Sequence, residues 1–151
     1  MTLTSDMSMN KSCCPQGVPP QQLSLSFSMP THSFAILEYQ YRDASNYKSC
    51  GLLLLHGSPA PHAEELIRQH CEAQMYFVAE QVGIPPLYEA LYHFSGGPTD
   101  DDHVFHEFHG LRFAKNSEVR SLAVCCTVGE LAARFRATQA QWDYSLSPHY
   151  F

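Results

Sequence analysis

Between Ser33 and Arg42 apolar and polar side chains alternate, with Ala35, Leu37, Tyr39 and Tyr41 on one side and Phe34, Ile36, Glu38 and Gln40 on the other. A period of two is the spacing of a β-strand, in which successive side chains leave opposite faces. Asp43-Ala44-Ser45-Asn46 follows as a turn, because Asp and Asn side chains bond nearby backbone amides and accept left-handed conformations. Tyr47 to His56 then reads as a returning strand that makes a hairpin with the first. Its unbroken Leu52-Leu53-Leu54-Leu55 predicts burial on both faces. Gly57-Ser58-Pro59 ends that strand and opens a helix over roughly 60–72, in which Ala63, Leu66, Ile67 and Cys71 recur at helical spacing.

The stretch from Met75 to Val82 is apolar and expected to be extended, and Gly83-Ile84-Pro85-Pro86 stops it before a short helix containing Leu87, Ala90 and Leu91. Ser95 to Asp102 reads as a loop, His103 to Phe113 as a strand rich in aromatic and branched residues, and Ser121 to Cys126 as a further short strand. Thr127-Val128-Gly129-Glu130 matches a capping box, in which the threonine hydroxyl and the glutamate carboxylate satisfy free amides at a helix start. Val128, Leu131, Ala132 and Phe135 form the buried stripe of the helix that follows, expected to end near Gln141. Residues 1–31 are rich in Ser, Gln, Pro and Met, with Asp6 and Lys11 as their charges, and are expected to form a flexible N-terminal arm. Within that arm Leu23, Leu25, Phe27 and Met29 alternate with Gln22, Ser24, Ser26 and Ser28, a pattern suited to addition at a sheet edge. Met29 is also a candidate alternative start of translation. The pattern as a whole predicts one α+β domain over 32–151. Its expected architecture is a mainly antiparallel sheet of four or five strands with two longer helices packed on one face.

A chain of 151 residues fits one such domain. Its formal charge of −6 comes from nine basic residues, scattered along the chain, against fifteen acidic ones. Non-specific nucleic-acid binding needs clustered cations to neutralise phosphates, so that class is not expected. Charged residues make up 16% of the chain and aromatic residues 12%, a balance that leaves apolar surface for a partner or for self-association into a homo-oligomer. The six cysteines include the adjacent pairs Cys13-Cys14 and Cys125-Cys126 but no C-x-x-C, and no secretory signal pattern precedes them. Free thiols in a reducing cytoplasm are the corresponding expectation. The apolar run Leu52 to Leu55 is far shorter than the roughly twenty residues that cross a bilayer.

The densest polar chemistry lies between Asp100 and Gly110, which hold three of the nine histidines. On a strand, His103, Glu107 and His109 share one face while His106 joins Val104 and Phe108 on the other. The three could ligate zinc as a metal-dependent hydrolase, with Glu107 as ligand or general base. The three-residue spacing of the imidazoles works against that alternative, and the favoured expectation is no metal, no cofactor and no catalytic residue. Asp100, Asp101 and Asp102 lack the alternating oxygen ligands of a calcium loop, and the side chains of Cys125 and Cys126 leave opposite faces of a strand. The hairpin tip offers different chemistry. Tyr41, Arg42, Asp43, Tyr47 and Lys48 set two rings and two cations close together, suited to a small anionic, nucleotide-like ligand or to a protein partner. Charges beside a turn contribute little to stability when exposed, so Arg42 and Lys48 are expected to matter for binding and not for folding.

Tyr41-Arg42-Asp43-Ala44-Ser45-Asn46-Tyr47-Lys48, then Glu80-Gln81-Val82-Gly83, then Asp102-His103-Val104-Phe105-His106-Glu107-Phe108 resemble, in this order, motifs of a group of small uncharacterised bacterial proteins. The resemblance spans roughly 34–135. It implies no activity, and it points to an accessory role in bacterial, mobile-element or phage genomes. Residues and resemblance together predict a regulatory binding protein that is not an enzyme.

Overall fold

The structure is a computed structural model and describes residues 33–150. The expected arm over 1–31 lies outside the described residues. Strand β1 (Phe34–Arg42) pairs antiparallel with β2 (Lys48–His56) over its whole length, from Phe34 opposite His56 to Arg42 opposite Lys48. The turn closes as its residue types predict: the Asn46 amide donates to the Asp43 carbonyl at 2.9 Å, Asn46 takes a φ of 73°, and Asp43 Oδ1 accepts the Tyr47 amide at 2.8 Å. The register sets Tyr39 opposite Gly51, where a Cβ would stand 2.7 Å from the tyrosine ring. Only glycine allows that ring to lie flat across the neighbouring strand.

The fold is α+β, with a five-stranded sheet in the order β3-β4-β1-β2-β5, where β3 is Tyr76–Phe77, β4 His106–Phe113 and β5 Val124–Thr127. Three of its pairings are antiparallel, but β5 lies parallel to β2, so the sheet is mixed. The physical reason is a helix absent from the sequence pattern. Helix α3 (Asn116–Ser121) carries the chain from β4 across to the far edge, and β5 arrives running the same way as β4. Helix α1 spans Pro61–His70 and α4 Val128–Ala137, while α2 (Tyr92–Ser95) is a single turn that continues the 3-10 turn Tyr88–Leu91. Residues 138–140 leave α4 as a turn, so the helix stops short of Gln141.

Ala35, Leu37 and Tyr39 of β1 share one core with Ala63 and Ile67 of α1 and with Val128, Leu131, Ala132 and Phe135 of α4. Ile36 and Leu54 form a second, smaller core with Ala114, covered by Val119 and Leu122. The alternation along β1 is therefore real, with both faces of the strand buried. Leu52 departs from the expected burial and is 45% exposed, because the α3 side covers Ile36 and Leu54 but does not reach it. The predicted extended run over 75–82 contracts to Tyr76–Phe77, beyond which the chain turns. Beyond α4, the Trp142 indole donates to the His70 carbonyl at 3.1 Å and its ring packs on Phe77 and Phe135.

Candidate functional site at the hairpin end of the sheet

Strand β4 starts at His106, three residues later than its sequence pattern suggests, because the His103 side chain takes over the local backbone. The His103 ring donates from Nε2 to the Arg42 carbonyl at 2.7 Å and accepts the Phe105 amide on Nδ1 at 3.2 Å. Amides satisfied in this way are removed from the ladder. Both ring nitrogens are thereby used. His106 and Phe108 are buried on the core side and Glu107 lies within 3.5 Å of His109 on the other. A bulge that sets Phe108 opposite Tyr39 and Gly110 opposite Glu38 then shifts the expected alternation, so that Leu111 returns to the core side and Arg112 meets Glu38 on the other. His103 does not join Glu107 and His109 on a strand face. Zinc coordination by His103, Glu107 and His109 would require the first to give up at least one of its two hydrogen bonds. Among the described residues no group of three or more His, Cys, Asp or Glu is placed to hold a metal ion.

Glu107 is 6% exposed and organises a polar layer on the outer sheet face. It accepts Arg42 Nε at 3.0 Å and Nη2 at 3.2 Å, a two-pronged pair, and Gln40 Nε2 at 2.8 Å. Burial alone would raise its pKa, but the hydrogen bonds from Arg42 and Gln40, the Arg42 charge and His109 outweigh burial and lower it. Arg42 also donates from Nη1 to Asn46 at 2.9 Å. Its guanidinium is neutralised by a carboxylate 65 residues away in sequence, and is not a free anion receptor.

Tyr41 is fully buried, its ring against Tyr88, His103 and His106. Its hydroxyl donates to Asp102 Oδ1 at 2.6 Å and accepts the His103 amide at 3.1 Å, and burial with the Asp102 contact pushes its pKa upward. Asp102, 8% exposed, also accepts the Thr99 amide on Oδ2 at 2.9 Å. His106 accepts the Leu87 amide on Nε2 at 2.9 Å, which leaves the ring proton on Nδ1, a buried atom with no hydrogen-bond partner among the described residues. Beside it, Tyr88 donates to the Glu80 carboxylate, and the Tyr92 hydroxyl meets His149 Nε2 at 2.6 Å.

Of the five hairpin residues singled out in the sequence, Tyr41 is structural and Arg42 is paired, while Asp43, Tyr47 and Lys48 remain at the surface or its edge. Asp43 and Tyr47 form one wall of a cleft of about 270 Å³, whose other walls are Leu91, Phe94, Ser95, Thr99 and Asp102. Tyr47 is 65% exposed and Phe94 85%. On the opposite side of Asp43 an open groove is lined by Arg42, Tyr76, His103, Phe105 and Glu107. Periodicity could not reveal Leu91, Phe94, Ser95 and Thr99 as site residues, since they sit in a single helical turn and a loop. The one signal was compositional: an aromatic residue just before Ser95-Gly96-Gly97, next to three aspartates.

No family model, curated protein or solved structure matches the chain.

Proposed function

We propose that this chain is a small accessory or regulatory binding protein of a bacterial or mobile-element system, without catalytic activity, that grips a protein partner with the hairpin end of its sheet. One observation carries the reading. Tyr47 and Phe94 leave two large rings in water along the same cleft, Tyr47 on a hairpin held rigid by a full ladder and by the buried Tyr41, Phe94 on the helical turn α2. Exposed rings around a pocket on a rigid scaffold are the usual material of interface hot spots. A nucleotide-like ligand fits less well. The cleft is below the roughly 300–1,000 Å³ of ligand pockets, and Arg42, the planar cation such a ligand would need, is held by Glu107. This reading keeps the two longer helices, α1 and α4, as a scaffold on one face of the sheet, supported by the core they share with β1.

The test is photo-crosslinking in the native cells, with a photoreactive residue at position 47, at position 94, or at Gln69 as an exposed control on α1. One protein should be captured from 47 and 94 and not from 69. Capture from all three positions alike, or from none, would overturn the hairpin interface.

A further inference from the structure

We infer that the cleft at the hairpin end receives a basic side chain, arginine or lysine, from the partner protein. The inference rests on the hairpin reading and adds the chemistry of the group recognised. The cleft is walled by two carboxylates, Asp43 and Asp102, two hydroxyls, Ser95 and Thr99, an apolar Leu91, and the rings of Tyr47 and Phe94, and no Lys, Arg or His lines it. Negative charge inside the cleft therefore has no cation of this chain within the walls to compensate it. Each carboxylate is fixed in place. Asp102 is held by the Tyr41 hydroxyl and the Thr99 amide, and Asp43 Oδ1 by the Tyr47 amide, with no further hydrogen bond to Asp43 Oδ2 among the described residues.

The acids do not carry the inference by themselves. Tyr47 at 65% and Phe94 at 85% exposure line the same opening, and an aromatic ring attracts a cation to its face through its quadrupole. Carboxylate, ring and short apolar wall together match a charged head on an aliphatic stem, the form of an arginine or lysine side chain. At about 270 Å³ the space suits one side chain and not an extended ligand. The chain's formal charge of −6, with Asp100 and Asp101 on the loop beside the cleft, steers a basic partner segment toward this end.

The probes are capped amino acids, N-acetyl-arginine amide, N-acetyl-lysine amide and N-acetyl-glutamate amide, titrated into the full chain and followed residue by residue in amide NMR spectra. The basic probes should shift the signals of Asp43, Tyr47, Phe94, Ser95 and Thr99 in a saturable way, and the acidic probe should not. Asp43→Asn keeps the Oδ1 acceptor for the Tyr47 amide while removing the charge, so it should stay folded and bind the basic probes about tenfold more weakly. Phe94→Leu keeps apolar area without the ring and should also weaken them. Equal shifts around Glu64 and Glu65, or equal affinity for the acidic probe, would overturn the inference. So would tighter binding of free n-butylammonium than of either capped residue, since that would make a small amine the guest. If capture from positions 47 and 94 persists while Asp43→Asn and added arginine probe leave its yield unchanged, the basic-side-chain inference fails and the hairpin interface stands. Loss of capture from both positions in the wild type sinks the interface itself.

Discussion

His106 sits with no exposed surface among the rings of Tyr39, Tyr41, Phe77 and Tyr88, at centroid distances of 6.2, 5.3, 6.0 and 5.5 Å. Burial, with smaller contributions from His103 and His149, takes its pKa from 6.5 down to about 3. Unfolded His106 binds a proton below 6.5 and folded His106 does not until about 3, so its stabilising contribution is complete above 6.5 and is lost as pH falls toward 3. Each unit of pH across that window costs about 1.4 kcal/mol for one such group. His149, also lowered chiefly by burial, adds in the same direction. Glu107 and Glu118, both lowered, begin to lose theirs only below 4.5. His106→Gln can still accept the Leu87 amide and should flatten the stability profile between pH 6.5 and 5 by about 1.4 kcal/mol per unit, as measured by urea unfolding at each pH. An unchanged slope would mean that His106 is not held neutral. Arg42 is the second residue of consequence. Removing it leaves a buried carboxylate short of its main partner, so Arg42→Ala should destabilise by about 1–3 kcal/mol at pH 7, whereas the exposed Lys48→Ala should not. The Arg42→Ala deficit should shrink as pH falls toward the lowered pKa of Glu107, since a protonated Glu107 no longer needs the cation, and a pH-independent deficit would place the cost elsewhere.

At the scale of elements, α4 was the most legible part of the chain. Its capping box forms as read, with Thr127 Oγ1 accepting the Glu130 amide at 2.9 Å and Glu130 Oε1 accepting the Thr127 amide at 3.2 Å, and its stripe Val128, Leu131, Ala132 and Phe135 is buried. Thr127→Ala should cost about 1 kcal/mol in chemical denaturation, and an unmoved midpoint would show that the cap contributes nothing. Cap and stripe are both local patterns within one turn or two. Helix α3 has no such stripe, for Asn116–Ser121 holds a single apolar residue, Val119, which packs on the smaller core together with Leu122 just beyond the helix. Nor could the pattern show that His103 and Phe105 leave the ladder, since an aromatic, branched stretch reads as strand whatever a neighbouring imidazole does to its amides.

At the scale of the molecule, the hairpin end is assembled from three separated stretches, Asp43 to Tyr47, Leu91 to Ser95, and Thr99 to Asp102, brought together by the β1–β4 pairing and the Tyr41–Asp102 hydrogen bond. Among the described residues no helix is long and apolar enough to cross a membrane. The sequence alone determined the hairpin, its turn, α1 and α4, because each rests on spacing within about a dozen residues, where periodicity is a physical property of the backbone. Tertiary structure decided the rest. Tyr41 and Tyr47 are both tyrosines beside the same turn, yet one is buried against residues more than forty positions away and the other lies in water. Arg42 is an open cation on paper and a closed ion pair in the fold, because its partner Glu107 arrives on a strand whose register is set by packing and by a bulge between Glu38 and Tyr39. Whether a side chain is free to bind depends on what the fold brings within a few ångströms of it, and that is a property of non-local pairing which no local pattern encodes.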